Sequence, residues 1–320
     1  RIRHAPRLLP RGSCVSMENM KVRIGYGLGV RTALNDTGFL EVVDTLEKLR
    51  FDSLWLSERI GGDAPDPLVA MAMAAARTTR LKVGMSVMVL PGRNPIVLAK
   101  ELATLDRMSN GRLLPAFGLG VADVHEQQAF GVERTKRAKM FNEALAVLRA
   151  CWTDEEVTFH GEFYNYDNLR VNPKPKQQPP DVWLGGIAES ELKRVGRLAD
   201  GWLPSFVTPQ DAEAGWKTIT AVASEHDREI EDEHFGVLIP YVIGEPPAAL
   251  LAGLKARRPD LDDVSVLVPT GWDSLAHTIQ QFVDVGASKF VVIPLAEPSS
   301  VPDWNSHLEE AATHLLPLEN

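Results

Sequence analysis

The sequence predicts a closed (β/α)8 barrel, and three observations predict it. Eight short apolar runs alternate with helical patterns along the chain. Leu81–Gly120 reads by itself as a complete strand–helix–strand unit, and two buried strands joined by a helix must be parallel. Outside one stretch, Thr153–Pro180, no hairpin pattern interrupts the alternation. The 320 residues fit one large barrel or two medium domains by length alone, and the eightfold alternation favours the barrel over a doubly wound sheet.

Val22–Gly27 forms the first strand and runs into Gly27-Leu28-Gly29. Phe39, Val43 and Leu46, at i, i+4 and i+7, mark the first helix, and Ser53–Leu56 the second strand. Asp66-Pro67 caps the second helix, which runs to Thr78. Leu81–Leu90 is the third strand, stopped by Pro91-Gly92. Asn94 then supplies an N-cap and Pro95 the first helical position, where a missing N–H costs nothing. Leu98, Leu102 and Leu105 line that helix until Asn110-Gly111 ends it. Leu113–Phe117 is the fourth strand, with Pro115 predicting a local irregularity.

Val121–Lys136 reads as a polar excursion before the fourth helix, Arg137–Trp152. Thr153–Pro180 reads as an insertion after that helix, with a hairpin-like VTFHGEFYNY and a proline-rich VNPKPKQQPP. Asp181–Gly185 and Gly201–Phe206 are strands five and six, separated by a basic helix, Ser190–Leu198. Helix Asp211–Asp227 and strand Phe235–Ile243 follow. Pro247–Lys255 suits a helix, while Leu261–Val268 suits strand or loop. Helix Asp273–Val285, strand Lys289–Leu295 and helix Leu308–Leu316 complete the pattern.

Composition narrows the function. The chain is 44% hydrophobic and 24% charged, ordinary for a globular protein. A net charge of -9 argues against nucleic acid or an anionic membrane surface as partner. No apolar run approaches the roughly 20 residues that span a bilayer. Two cysteines, Cys14 and Cys151, exclude a disulfide framework and point to the cytoplasm. Residues 1–16, with four arginines and two prolines, stand outside the pattern. They read as a leader, an upstream translated segment or a cloning remnant, with a mitochondrial-type targeting segment as the alternative, leaving 17–320 as one barrel domain. The Rossmann spacing, the G-x-S-x-G elbow, the Walker loop and the zinc cysteine pair are all missing from the sequence.

FDSLWLSER (51–59), GMSVMVLPGRNPIVLAKELATLDRMSNGR (84–112), FGLG with Glu126 and FG (117–131), FNEALAVLRACWTDEEVTFHGEFY (141–164), PPDVWLGG (179–186) and ADGW (199–202) occur in this order. Carrying them, the chain resembles the luciferase-like monooxygenase superfamily, most closely its actinobacterial branch that uses coenzyme F420, a deazaflavin. The resemblance implies a hydride transfer between that cofactor and a small organic substrate, on a homodimer. The same barrel implies two alternatives: an FMN-dependent monooxygenase using reduced flavin and oxygen, or a non-catalytic flavin-binding barrel.

Chemistry in such a barrel sits at the carboxyl ends of the strands. There the resemblance implies that Ser86, Val87 and Met88 lie under the cofactor ring, with a cis peptide at Ser86-Val87, and that Gly27 and Gly120 lie beside it. It assigns Gly185, Gly186 and Ile187 to the cofactor phosphate. Glycines let a phosphate approach, and the helix N-terminus that follows favours an anion; a plain strand-to-helix turn is the other reading. Glu58-Arg59 departs from the Asp-His common among related deazaflavin enzymes. Arg59 cannot donate a proton near neutral pH, so it would neutralise a reduced ring or bind an acidic substrate. The bland alternative is a structural Glu58–Arg59 ion pair at the barrel mouth. Glu126 is a candidate to orient cofactor or substrate, and Arg93 to meet the coenzyme's acidic tail or simply face solvent. Trp55, Trp183 and Trp202 suit the core better than a substrate platform.

Overall fold

The computed structural model describes residues 20–34 and 36–320. The leader segment 1–16 and Cys14 lie outside the described residues.

The barrel begins with β1 (Arg23–Leu28), α1 (Asp36–Leu49), β2 (Ser53–Leu56) and α2 (Pro67–Arg77). The Asp66 carboxylate accepts the Leu68 and Val69 N–H groups at 2.9 and 3.1 Å, which starts α2 at the expected residue. The third strand is broken into β3 (Lys82–Met85) and β4 (Met88–Val89). Asn94 caps α3 (Pro95–Met108) through the Ile96 and Val97 N–H groups, and Asn110 and Gly111, both at positive φ, end it. The fourth strand is also broken, into β5 (Leu113–Leu114) and β6 (Ala116–Gly118). Its break is at Pro115, which has no N–H to give to a ladder, so the irregularity falls where expected.

The segment 121–136 is not wholly irregular. It holds α4 (Val124–Phe130), with Asp123 accepting the His125 and Glu126 N–H groups and Gly131 at φ 65°. After α5 (Arg137–Thr153), β7 (Val157–His160) and β8 (Asn165–Leu169) form an antiparallel hairpin. The chain then returns through 170–180, pinned by the fully buried Asp106. Its carboxylate accepts the Lys176 and Gln177 N–H groups at 2.7 and 2.8 Å and the Gln177 amide at 2.7 Å.

β9 (Trp183–Leu184), α6 (Glu189–Leu198), β10 (Gly201–Trp202), α7 (Pro209–Glu225) and β11 (Gly236–Tyr241) continue the alternation. α8 (Ala248–Arg257), α9 (Trp272–Asp284), β12 (Lys289–Pro294) and α10 (Val301–Leu315) complete it. One open expectation is settled and another needs correction. Leu261–Val268 holds a 3-10 turn at Val264–Leu267, fixed by the Asp263 carboxylate on the Ser265 N–H, rather than a strand. The last helix begins at Val301, not Leu308, because Ser300 and Asp303 form its N-terminal cap.

All barrel pairings are parallel. One sheet runs β11-β12-β1-β2-β3-β5, the other β10-β9-β6-β4. Bridges Trp202–Phe235 and Ser205–Leu238 join β10 to β11 and close the ring. Trp55, Trp183 and Trp202 are all buried core residues. Among the described residues no helix is long and apolar enough to cross a membrane.

Candidate active site

The breaks in the third and fourth strands open space at the carboxyl end of the barrel, where a cavity of about 440 Å³ lies. That is within the range of small-molecule sites. Its floor includes the Ser86–Val87 peptide, which is cis. The Ser86 N–H donates to the Leu56 carbonyl at 2.8 Å, and the Ser57 hydroxyl donates to the Ser86 carbonyl at 3.3 Å. Ser86 Oγ is buried without a hydrogen-bond partner. Val87 lies across Gly118, where a Cβ would sit 2.4 Å from Val87 Cγ2. Val30, Phe117 and Leu184 extend this apolar wall.

Glu58 and Arg59 do not pair with each other. The Glu58 carboxylate, with its side chain 3% exposed, accepts the Val89 N–H at 2.6 Å and an Arg93 guanidinium N–H. Burial raises its pKa, and Arg93 and the Val89 N–H partly oppose that rise. Arg93 is therefore a half-buried partner of Glu58, not a solvated surface residue. Its Nε donates to the Val89 carbonyl at 2.9 Å, so the pair grips the strand directly after the cis peptide. Arg59 instead lies 3.7 Å from Glu126, whose oxygen also accepts the Gly61 N–H at 3.3 Å. The loop after β2 is thereby tied to α4 beside the cavity.

Two further guanidiniums line the cavity. Arg137 donates to the Gly120 carbonyl at 2.9 Å. Arg194 lies over the Phe141 ring, 5.8 Å from its centroid, and its Nε is buried without a partner. Burial lowers the Arg194 pKa. Between Arg194 and the strand ends, the Glu191 carboxylate accepts the N–H groups of Ile187 and Ala188, each at 3.0 Å.

Of the residues singled out in the sequence, Glu58, Arg59, Ser86, Val87, Gly120, Glu126, Gly185 and Gly186 line this one cavity. Gly27, Met88 and Ile187 do not. Gly27 is small to admit Ile293, since a Cβ there would lie 2.2 Å from Ile293 Cγ1. Met88 is fully buried in the core. Ile187 is largely exposed and faces a separate hollow beside Trp202 and Arg258. Its N–H, expected to meet a phosphate, is already bonded to Glu191. Sequence reasoning missed Arg137, Phe141 and Glu191 as cavity residues; the spacing of four between Arg137 and Phe141, which puts both on one helix face, was the available signal.

A model of the luciferase-like monooxygenase family matches residues 27–284. The chain belongs to that family. Its sequence is 32% identical over 308 residues to an F420-dependent glucose-6-phosphate dehydrogenase of Amycolatopsis mediterranei, covering 84% of this chain and 92% of that one. It is also 32% identical over 167 residues to the protein of the same name from Kineococcus radiotolerans, a match spanning about half of each chain, at 49%. The luciferase-like barrel superposes on an F420-dependent secondary alcohol dehydrogenase, solved in complex with an F420–acetone adduct, with a TM-score of 0.75. That match covers 91% of this chain and 98% of the other at 20% identity, a likeness of fold.

Proposed function

We propose that this luciferase-like barrel is an oxidoreductase that uses coenzyme F420 to move a hydride to or from a small organic substrate. The observation that carries the reading is the make-up of the cavity: apolar Val30, Val87, Phe117 and Leu184 together with cationic Arg137 and Arg194. Such a site suits a flat aromatic ring bearing an anionic tail, and the unpartnered Ser86 Oγ and Arg194 Nε leave polar atoms for it to meet. The 32% identity to an F420-dependent dehydrogenase over nearly the whole chain supports the deazaflavin over FMN.

When bound, the deazaflavin supplies a two-electron hydride centre. The rest is the work of this chain's residues. Val87 and Phe117 exclude water from one side of the site, which strengthens the electrostatics within it. Glu58 and Arg93 hold the Val89 segment in place. Arg59 supplies a fixed positive charge and no proton near neutral pH, so it orients an acidic group or offsets developing negative charge.

A homodimer in the cytoplasm belongs to the same reading. α2 turns Val69, Ala72, Met73 and Ala76 outward at i, i+3, i+4 and i+7, an exposed apolar stripe that suits a subunit interface. Cys151 is a free thiol, which suits a reducing compartment.

The test titrates purified protein with oxidised coenzyme F420 and with FMN, followed by fluorescence, and then assays the loaded form against a substrate panel. Saturable F420 binding with turnover is expected. Tight FMN binding with no response to F420 would replace the reading by an FMN-dependent monooxygenase, and binding without any turnover by a non-catalytic barrel.

A further inference from the structure

The short helix α4 is packed against the usual pattern. Its one buried residue is Glu126, while Val124, two positions earlier, is 59% exposed. The partners of the Glu126 carboxylate are Arg59 at 3.7 Å and the Gly61 N–H at 3.3 Å, and Ile60, between those two residues, is 57% exposed. Val121, which lines the cavity, is 45% exposed. Three β-branched side chains, of a kind that usually goes inside, are thus left in water around one polar contact beside the cavity. The apolar lining also runs inward from Val121. A second hollow of about 20 Å³, room for about one water, lies between α4 and the strand ends. Val89, Leu119 and Val121 line both it and the main cavity, and Phe130 and Val132 add to its wall. The pattern of apolar in and charged out is broken at the edge of a cavity, where a ligand would restore it.

We propose that the substrate carries an apolar arm of several carbons, which leaves the cavity over Val121 and lies against Ile60 and Val124. This extends the proposed oxidoreductase reading, on which it rests, by naming the class of substrate: an amphipathic molecule with its reacting end inside and its arm at the rim. Continuity decides the occupant. Val121 belongs to the cavity and to the exposed rim at once, so a molecule seated in the one extends onto the other. A protein partner does not fit, because three side chains fall far short of the roughly 800 Å² a side that a stable interface covers. A molecule polar all round would gain nothing from these side chains, whereas each methylene laid on them is withdrawn from water. Covering Ile60 and Val124 also shields the Arg59–Glu126 contact, so a longer arm holds α4 more firmly to the loop after β2.

Neutral secondary alcohols of growing length, 2-hexanol, 2-octanol and 2-decanol, are titrated into the protein by isothermal calorimetry, with and without coenzyme F420. Wild type is expected to bind more tightly by about two- to fourfold per added methylene. Ile60→Asp and Val124→Asp are each expected to weaken 2-decanol by about fivefold and 2-hexanol by less than about twofold. Both positions are exposed, and an acidic residue in the first turn of a helix is favourable, so both variants should fold, which thermal melting confirms. Met108→Asp, on an exposed residue at the end of α3 that leads into β5, is the control and should change neither alcohol. If the alcohols follow this pattern and coenzyme F420 does not bind, the cofactor reading fails and the apolar arm stands. If the alcohols bind without a dependence on length, or not at all, the apolar arm is refuted, and the F420 titration still decides the cofactor reading on its own. A length dependence that Ile60→Asp and Val124→Asp leave intact, or equal losses in Met108→Asp, would also overturn it. So would a Val124→Asp protein that changes oligomeric state on a sizing column while its alcohol affinities hold, which would make the rim a subunit contact.

Discussion

The Glu58–Arg93 pair offers a quantitative test of how the site is held. Glu58 is almost fully buried and Arg93 is 23% exposed at the side chain. Removing one partner from a fully buried pair costs about 3–5 kcal/mol, because the other charge is stranded. Two features reduce that here. Water reaches part of Arg93, and Gln at position 58 can still accept the Val89 N–H. Glu58→Gln is therefore expected to destabilise the fold by about 2 kcal/mol. Arg93→Met also loses the bond to the Val89 carbonyl and the contact over Phe130, and is expected to cost about 3 kcal/mol. The double variant strands no charge, so it should cost about 3 kcal/mol, not 5, a coupling of about 2 kcal/mol. Urea unfolding followed by tryptophan fluorescence measures all four proteins, with the slope m required to stay constant. Additivity within about 0.5 kcal/mol would refute the claim that these two residues act as one grip.

Three more outcomes are expected. Gly118→Ala places a methyl against Val87, costs about 1–3 kcal/mol and weakens F420 binding; adding Val87→Ala should restore stability, as read by thermal melting and titration. Arg59→Gln breaks a partly exposed pair and should shift stability by less than about 1 kcal/mol, while raising KM for an acidic substrate more than Arg59→Lys does. Burial lowers the pKa of His307, which lies 2.7 Å from the Tyr241 hydroxyl. The unfolded chain thus binds that proton more readily, so this contribution is whole above about pH 6.5 and is lost as pH falls through the folded value. His307→Gln should flatten the fall of stability as pH drops below about 6.5, measured by denaturant titration at each pH.

The barrel strands were legible because they are largely buried on both faces and read as apolar runs, several of them stopped by glycine or proline. α4 was hidden for a related reason. Its seven residues bury only Glu126, so there is no apolar period to find, and the cap at Asp123 with Gly131 was the sole signal. The start of α10 was likewise written in Ser300 and Asp303 and not in hydrophobicity. The site was half legible. Which loops face the cavity follows from barrel topology, but which charges meet does not. Glu58 reaches Arg93 across 35 positions and Arg59 reaches Glu126 across 67, whereas neighbours 58 and 59 part company. Only the closed ring brings Arg137 and Arg194 to one wall.

The two strand breaks have a consequence for how such a protein can change over generations. They lie in adjacent strands, and they divide the barrel into a six-stranded sheet and a smaller four-stranded one. Val89, Phe117, Gly118 and Leu184, all facing the cavity, belong to the smaller sheet. Substitutions at these four positions thus leave the pairings of the larger ladder untouched. In a lineage carrying this barrel, changes at those four positions would spare the larger ladder, and their cost would fall on local packing such as Val87 against Gly118.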